Sequence, residues 1–294
     1  MLGYGSTGRT LLSRVSRVTT ACRSLPSYQI ARKPNGVSDG SRFPWKDGFE
    51  IASKTHVDAQ TILETLSPLI SEERKERIDL VCRQRTFDVL PIIEDPYDWG
   101  NVAAVCRSAD AMGVGAVHII REKNTDKYKQ STRTSGGADK WLDIQLFDTT
   151  RECLSRAKEN GFQVVATCLG KDAVRPAEID WSKPTAIVFG NEMKGVSNEV
   201  VEMADGICEI DIDGFVDSYN ISVAAALMLW EARRVRLAKL GYHGNLTEKE
   251  IEILRAVFYL RNKGVFQQYA SILLRQKPPE WQVHRGEWPD SDEE

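Results

Sequence analysis

The run Thr185–Phe189 reads as a wholly apolar strand that stops at Gly190. A strand with no polar side must be covered on both faces, as in a parallel sheet held between helices. The rest of the chain repeats that alternation. The pattern predicts strands over Asp88–Ile93, Ala116–Ile120, Gln163–Cys168 and Ile207–Ile212. It predicts helices over Val102–Met112, capped by Asn101 and closed by Gly113, and over Arg151–Asn160, stopped by Gly161. Strand alternating with helix means an α/β fold with a mostly parallel sheet.

Helices flank this unit at both ends. A short one is predicted from Val57 to Leu66, and another, capped by Ser71, runs to about Arg85 with an apolar stripe of Ile78, Val81 and Cys82. A long helix spans Tyr219–Leu240. Its first half, Val223 to Trp230, is apolar nearly all round and is therefore predicted to be buried. Thr247-Glu248-Lys249-Glu250 is a capping box for a helix ending before Gly264, and a last helix reaches about Arg275. The expected organisation is a disordered leader over 1–50, a helical extension over 51–86, the α/β domain over 87–240, C-terminal helices over 241–280 and an acidic tail over 281–294.

Composition excludes several classes. Apolar residues make up 41% and charged residues 28%, the balance of a globular chain. The longest apolar run is too short for a membrane helix, which needs ~20 residues. The six cysteines include no Cys-x-x-Cys pair and no close His partner, so neither a zinc site nor a disulfide framework is expected. Residues 1–46 hold eight basic side chains and one acid, and the remainder carries 31 basic and 41 acidic, a net of −10. The basic, Ser/Thr-rich start reads as a transit peptide for a mitochondrion or chloroplast. A basic arm that stays on and touches RNA is the alternative, with a cytoplasmic protein as its consequence. The Gly3–Gly8 stretch matches a dinucleotide fingerprint by letter only, since no strand can precede it.

Three loops follow predicted strand ends, where open α/β sheets hold ligands. The first is Asp95-Pro96-Tyr97-Asp98-Trp99-Gly100-Asn101, leading to Arg107 under two helical turns beyond. Taken alone, Asn101 reads better as a cap and Arg107 as a surface ion-pair partner. The second is Gly190-Asn191-Glu192-Met193-Lys194-Gly195, where two glycines permit a tight turn and close ligand approach. Its plain reading is a strand-to-helix turn with Glu192 in solvent. The third, Gly214 to Ser222, places Ser218, Asn220 and Ser222 at the mouth of the apolar helix, and capping explains only one of them.

In this order and spacing the three loops resemble the motifs of the SpoU/TrmH family of knotted RNA ribose 2′-O-methyltransferases, over about Ser71–Lys277. The Arg107–Gly113 run, the Ser135–Ala138 turn and the Ile221–Arg236 helix are similar to its tRNA guanosine-18 subgroup. The resemblance implies an α/β sheet with a deep C-terminal trefoil knot, S-adenosylmethionine as cofactor, tRNA as substrate with 2′-O-methylguanosine in the D-loop as product, and a homodimer. Ribosomal RNA as substrate, or a non-catalytic RNA-binding relative, is the alternative; an NAD enzyme lacks its fingerprint. By residue, the resemblance assigns cofactor binding to Thr167, Gly190, Ile210 and Tyr219, and catalytic or near-catalytic places to Asn101, Arg107, Glu192, Ser218 and Asn220. RNA contact is expected at Arg74, Arg83, Arg85 and Arg133, because a chain this acidic must bind RNA through local patches. The chain departs from the family pattern in Asp98-Trp99-Gly100, which reads as an insertion, and in Asp211, Asp217 and Tyr219.

Overall fold

The computed structural model describes residues 28–33, 40–51, 55–121 and 137–262. Its larger sheet has six strands: β4 (Val89–Glu94), β5 (Ala116–Ile120), β6 (Asp143–Phe147), β7 (Gln163–Thr167), β8 (Thr185–Phe189) and β9 (Gly206–Cys208). They lie in the order β6-β5-β4-β8-β7-β9, and every neighbouring pair is parallel. From β4 the chain steps outward to β5 and β6, and β8 then returns to sit beside β4. The order therefore reverses between β4 and β8, which makes their carboxyl ends the switch point of the sheet.

Both faces of β8 are covered, as its composition demands. Ala186 and Val188 pack into one apolar cluster and Ile187 and Phe189 into the other. On one face lie α3 (Trp99–Ala111) and α6 (Ile221–Leu240), bringing Val105, Ala109, Ala225 and Met228. The opposite cluster contains Leu154 of α4 (Thr150–Glu159) and Val200 of α5 (Asn198–Met203). It runs on into α1 (Ala59–Leu66), α2 (Glu72–Arg83) and α7 (Glu248–Leu260). The capping box of α7 is present as expected, with Thr247 and Glu250 each bonding the other's backbone N–H.

Several expectations need correction. The leader was expected to run to residue 50 without structure. Instead β1 (Tyr28–Arg32), β2 (Trp45–Ile51) and β3 (Thr55–Val57) form an antiparallel sheet. Its Trp45, Phe49 and Ile51 are buried, and Trp45 and Phe43 meet Phe87 edge-on. Basic composition hid this because the strands are short and their apolar partners lie far along the chain. Strand β6 was missed because Asp143 and Gln145 break its apolar pattern; Arg32, 111 residues earlier, satisfies Asp143. Helix α3 starts earlier than expected. Asp98 caps it, accepting from the Gly100 N–H at 2.8 Å, so Asn101 is not the cap. The first half of α6 is not wholly buried: Val223, Leu227 and Trp230 are 47%, 42% and 53% exposed. A helix apolar all round needs cover on every side, and the sheet supplies only one. The helix predicted to reach Arg275 lies outside the described residues.

The N-terminal sheet closes over a buried polar group on β5 and β6. Burial pushes the pKa of His118 down to about 4, Asp143 opposing and Arg32 and Arg156 adding to the effect. The folded chain thus keeps His118 neutral. Below its ordinary pKa the unfolded chain takes up a proton that the folded one refuses, so stability present above pH ~6.5 is lost as pH falls towards 4, on the order of 3 kcal/mol. His243 shifts the same way, to about 4, mainly through burial. For Asp143, burial raises the pKa, but Arg32 and Gln145 outweigh it and hold it below the usual value, so its contribution is lost only at lower pH. Urea midpoints should therefore fall between pH 7 and 4.5, and His118→Gln should flatten part of that slope.

Candidate active site

The loops leaving β4 and β8 are fastened to each other before any ligand is considered. Glu94, 5% exposed at the end of β4, accepts from the Ser197 N–H at 2.8 Å and from the Ser197 and Thr150 hydroxyls, each at 2.7 Å. Ser197 is the N-cap of α5, and Thr150 is the first residue of α4. One carboxylate therefore ties three crossings together. Asp95 follows at φ +45°, an uncommon conformation for a residue with a side chain. Its carbonyl accepts from Asn191 Nδ2 at 2.6 Å. The second loop closes on itself: Asn191 N–H donates to the Gly195 carbonyl at 2.9 Å, and Gly195 N–H returns the bond at 2.8 Å. Gly190 is obligatory, because a Cβ there would stand 2.1 Å from the Gly195 carbonyl carbon.

Glu192 is not solvated as its plain reading holds. Its carboxylate accepts from the N–H groups of Tyr97 at 2.9 Å and Asp98 at 3.4 Å, and from Asn101 Nδ2 at 2.9 Å. Burial raises its pKa, but these donors outweigh that and hold it below the ordinary value, so it is anionic at neutral pH. Asn101 Oδ1 accepts in turn from Asn220 Nδ2 at 3.1 Å, and Asn220 Oδ1 caps α6 by accepting from the Ser222 N–H at 2.9 Å. All three loops thus converge through Glu192, Asn101 and Asn220. Both ends of the Asn101 amide are held, which leaves one Nδ2 hydrogen for a ligand.

Beside this network lies a cavity of about 390 Å³, within the ~300–1,000 Å³ usual for small-molecule sites. Thr167, Gly190, Ile210, Ser218, Tyr219 and Asn220 line it. The charged residues on its wall are Glu192, Glu209 and Asp217; no Lys or Arg is among them. Such a wall suits a cationic ligand. Thr167 Oγ1 is committed to the Val188 carbonyl at 2.8 Å, and the Tyr219 hydroxyl to the Asp211 carbonyl at 3.0 Å. The Tyr219 side chain therefore ties the start of α6 to the backbone at residue 211. Arg175 pairs with Glu209 and Asp211, so part of the acidity of that region is neutralised.

The site residues read from sequence separate into groups. Glu192, Asn101 and Asn220 form the hydrogen-bonded network, and Thr167, Gly190, Ile210, Ser218 and Tyr219 line the cavity with Glu192 and Asn220. Arg107 does not join them within one chain. It lies about 120° round α3 from Asn101, is exposed, and makes no hydrogen bond or ion pair to a described residue. Of the RNA-contact residues, Arg85 is contradicted as a surface contact. It is 1% exposed and spends its guanidinium on Asp110 and on the Val114 carbonyl at 2.7 Å. Arg83 is exposed but shared between Asp79 and Glu248, and Arg74 lies over the Trp141 ring. Arg133 lies outside the described residues. Sequence reasoning missed Glu94 and Asp98. An acid at the end of an apolar strand, and an acid two residues before a helix glycine, were the available signals.

The family model described as "SpoU rRNA Methylase family" matches residues 89–230. The tRNA (guanosine(18)-2′-O)-methyltransferase of Thermus thermophilus is 40% identical over 167 residues, covering 57% of this chain and 85% of that protein. The 23S rRNA (guanosine-2′-O-)-methyltransferase RlmB of Neisseria meningitidis serogroup B is 31% identical over 215 residues, 72% of this chain and 77% of that one. The crystal structure of the A. aeolicus TrmH/SpoU tRNA modifying enzyme superposes with a TM-score of 0.59 at 36% identity, covering 64% of this chain and 96% of that one. With its loops, its cavity and these likenesses in agreement, the chain belongs to the SpoU methylase family.

Proposed function

We propose that this protein transfers a methyl group from S-adenosylmethionine to a ribose 2′-hydroxyl of tRNA, forming 2′-O-methylguanosine. The observation that carries this is the cavity at the switch point, whose wall among the described residues has Glu192, Glu209 and Asp217 and no Lys or Arg, and which adjoins the Asn101–Glu192–Asn220 network. S-adenosylmethionine is cationic at sulfur, and Thr167, Gly190, Ile210 and Tyr219 are placed to hold it. When bound it supplies an electrophilic methyl group. Glu192 holds Asn101, whose remaining N–H would be free to donate to the reacting ribose oxygen. As the methyl passes from sulfur to that oxygen, leaving a neutral thioether, the hydroxyl proton passes to solvent water; the oxygen gains negative charge on the way, and Arg107 would stabilise it. A guanidinium does this well and serves poorly as a base. Ser218 lies on the cavity wall, where its hydroxyl can orient the third loop or the ribose.

Three further parts belong to this reading. The first is the deep trefoil knot of the family at the C-terminal part of the sheet. The second is a homodimer, favoured by the exposed stripe Val223, Leu227, Trp230 and Leu237 on α6 and by the absence of Arg107 from the described residues of the cavity wall. The third is organelle targeting by the basic start. Cleavage would fall before Tyr28, because β1 pairs with β2 and Arg32 holds Asp143. RNA contact on α2 rests with Arg74 and Arg83. A ribosomal substrate is the second reading, favoured by the rRNA-modifying relative.

Incubating the full chain with unmodified tRNA and labelled S-adenosylmethionine, then digesting to nucleosides for mass spectrometry, tests the activity. Label in 2′-O-methylguanosine is expected. Label on a base, or none with either tRNA or ribosomal RNA, would overturn it.

A further inference from the structure

Tyr97 combines two properties that rarely go together. Its side chain is 77% exposed, yet its backbone is pinned. The Tyr97 N–H donates to Glu192 Oε2 at 2.9 Å, and the next residue, Asp98, both donates to the same carboxylate and caps α3. Two residues before Tyr97, the Asp95 carbonyl is held by Asn191 at 2.6 Å. The exposed ring is therefore carried on a backbone fastened to Glu192, a residue of the cavity wall. The carboxylate that pins it also holds Asn101 at 2.9 Å.

The placement matters because of what must arrive there. A ribose whose 2′-hydroxyl reaches Asn101 carries its base on the neighbouring carbon, within one sugar's breadth of Glu192 and hence of Tyr97. A nucleotide presented for ribose chemistry is unstacked, and proteins recognise unstacked bases by laying them on aromatic rings. A backbone held in advance leaves only two side-chain torsions to settle when the base lands on the ring.

We propose that the Tyr97 ring is the stacking surface for the nucleobase of the nucleotide being methylated; this rests on the methyl transfer proposed above. The phenol hydroxyl is incidental, and the aromatic face is what counts. Tyr97→Ala should raise KM for tRNA roughly 5- to 150-fold, the range of one base–aromatic stack. Tyr97→Phe and Tyr97→Trp should stay within about threefold by the same reasoning, since each keeps an aromatic face. S-adenosylmethionine affinity, read by calorimetry, should be unchanged in all three variants. With 2-aminopurine in place of the target base, fluorescence should be quenched by the wild type and by Tyr97→Phe but stay bright with Tyr97→Ala.

An unchanged KM and unchanged quenching in Tyr97→Ala would overturn the proposal. So would a change of oligomeric state by sedimentation in that variant, which would make the ring a contact between copies. Failure of the wild type to bind S-adenosylmethionine or to methylate RNA would instead sink the underlying activity, and is read separately.

Discussion

Gly190→Ala is expected to weaken S-adenosylmethionine binding roughly a hundredfold. The added methyl would lie 2.1 Å from the Gly195 carbonyl carbon and 2.2 Å from the Val196 nitrogen, both backbone atoms that cannot rotate away. Overpacking among side chains costs about 1–3 kcal/mol. Here the Asn191–Gly195 turn itself must move, carrying Glu192 with it. If the upper figure falls on binding alone, affinity drops roughly a hundredfold. Calorimetry with the cofactor, beside a melting curve to confirm folding, measures this. Affinity within threefold of wild type would show that the second loop does not cradle the cofactor.

The second large effect concerns Arg107. Removing one charge-stabilising group from a transfer site costs about 10²–10³ in rate. Arg107→Ala should lower kcat by that factor and leave cofactor binding nearly intact, since the residue is exposed and absent from the cavity wall. Its lack of a bonded partner among the described residues gives the experiment a second stage. If Arg107 serves the site of a partner copy, a mixed dimer of Arg107→Ala and Gly190→Ala chains contains one sound pocket facing one sound arginine. Co-expressing the two inactive variants should then restore roughly a quarter of wild-type activity, as random pairing of a twofold dimer predicts. If the arginine acts within its own chain, no pairing restores activity. Both outcomes also bear on the exposed α6 stripe, since a dimer through Val223, Leu227 and Trp230 would cover it.

Local features were the legible ones. The apolar strand Thr185–Phe189 required two covered faces, and its residues divide alternately between two clusters. Gly190 announced a close approach, and the backbone around it is closer than any side chain allows. What sequence alone concealed was always a distant partner. Asn101 looks like a cap until Asp98 takes that role and Glu192, 91 residues on, takes the amide. Arg85 belongs by spacing to a basic helix face, but it lies just past the end of α2 and turns inward to Asp110. Asp143 spoils a strand pattern until Arg32 answers its charge from across the chain. Periodicity sees only the face a residue occupies on its own element. Whether that face meets solvent, a carboxylate or a second copy is decided by the fold.

The central claim is that three separated loops build one pocket for a cationic methyl donor. Titration of the intact protein with S-adenosylmethionine, and separately with NAD, tests it most directly. Saturable binding of one S-adenosylmethionine per chain, competed by S-adenosylhomocysteine, with no heat from NAD, is the expected result. Heat from NAD, or none from S-adenosylmethionine, would contradict it.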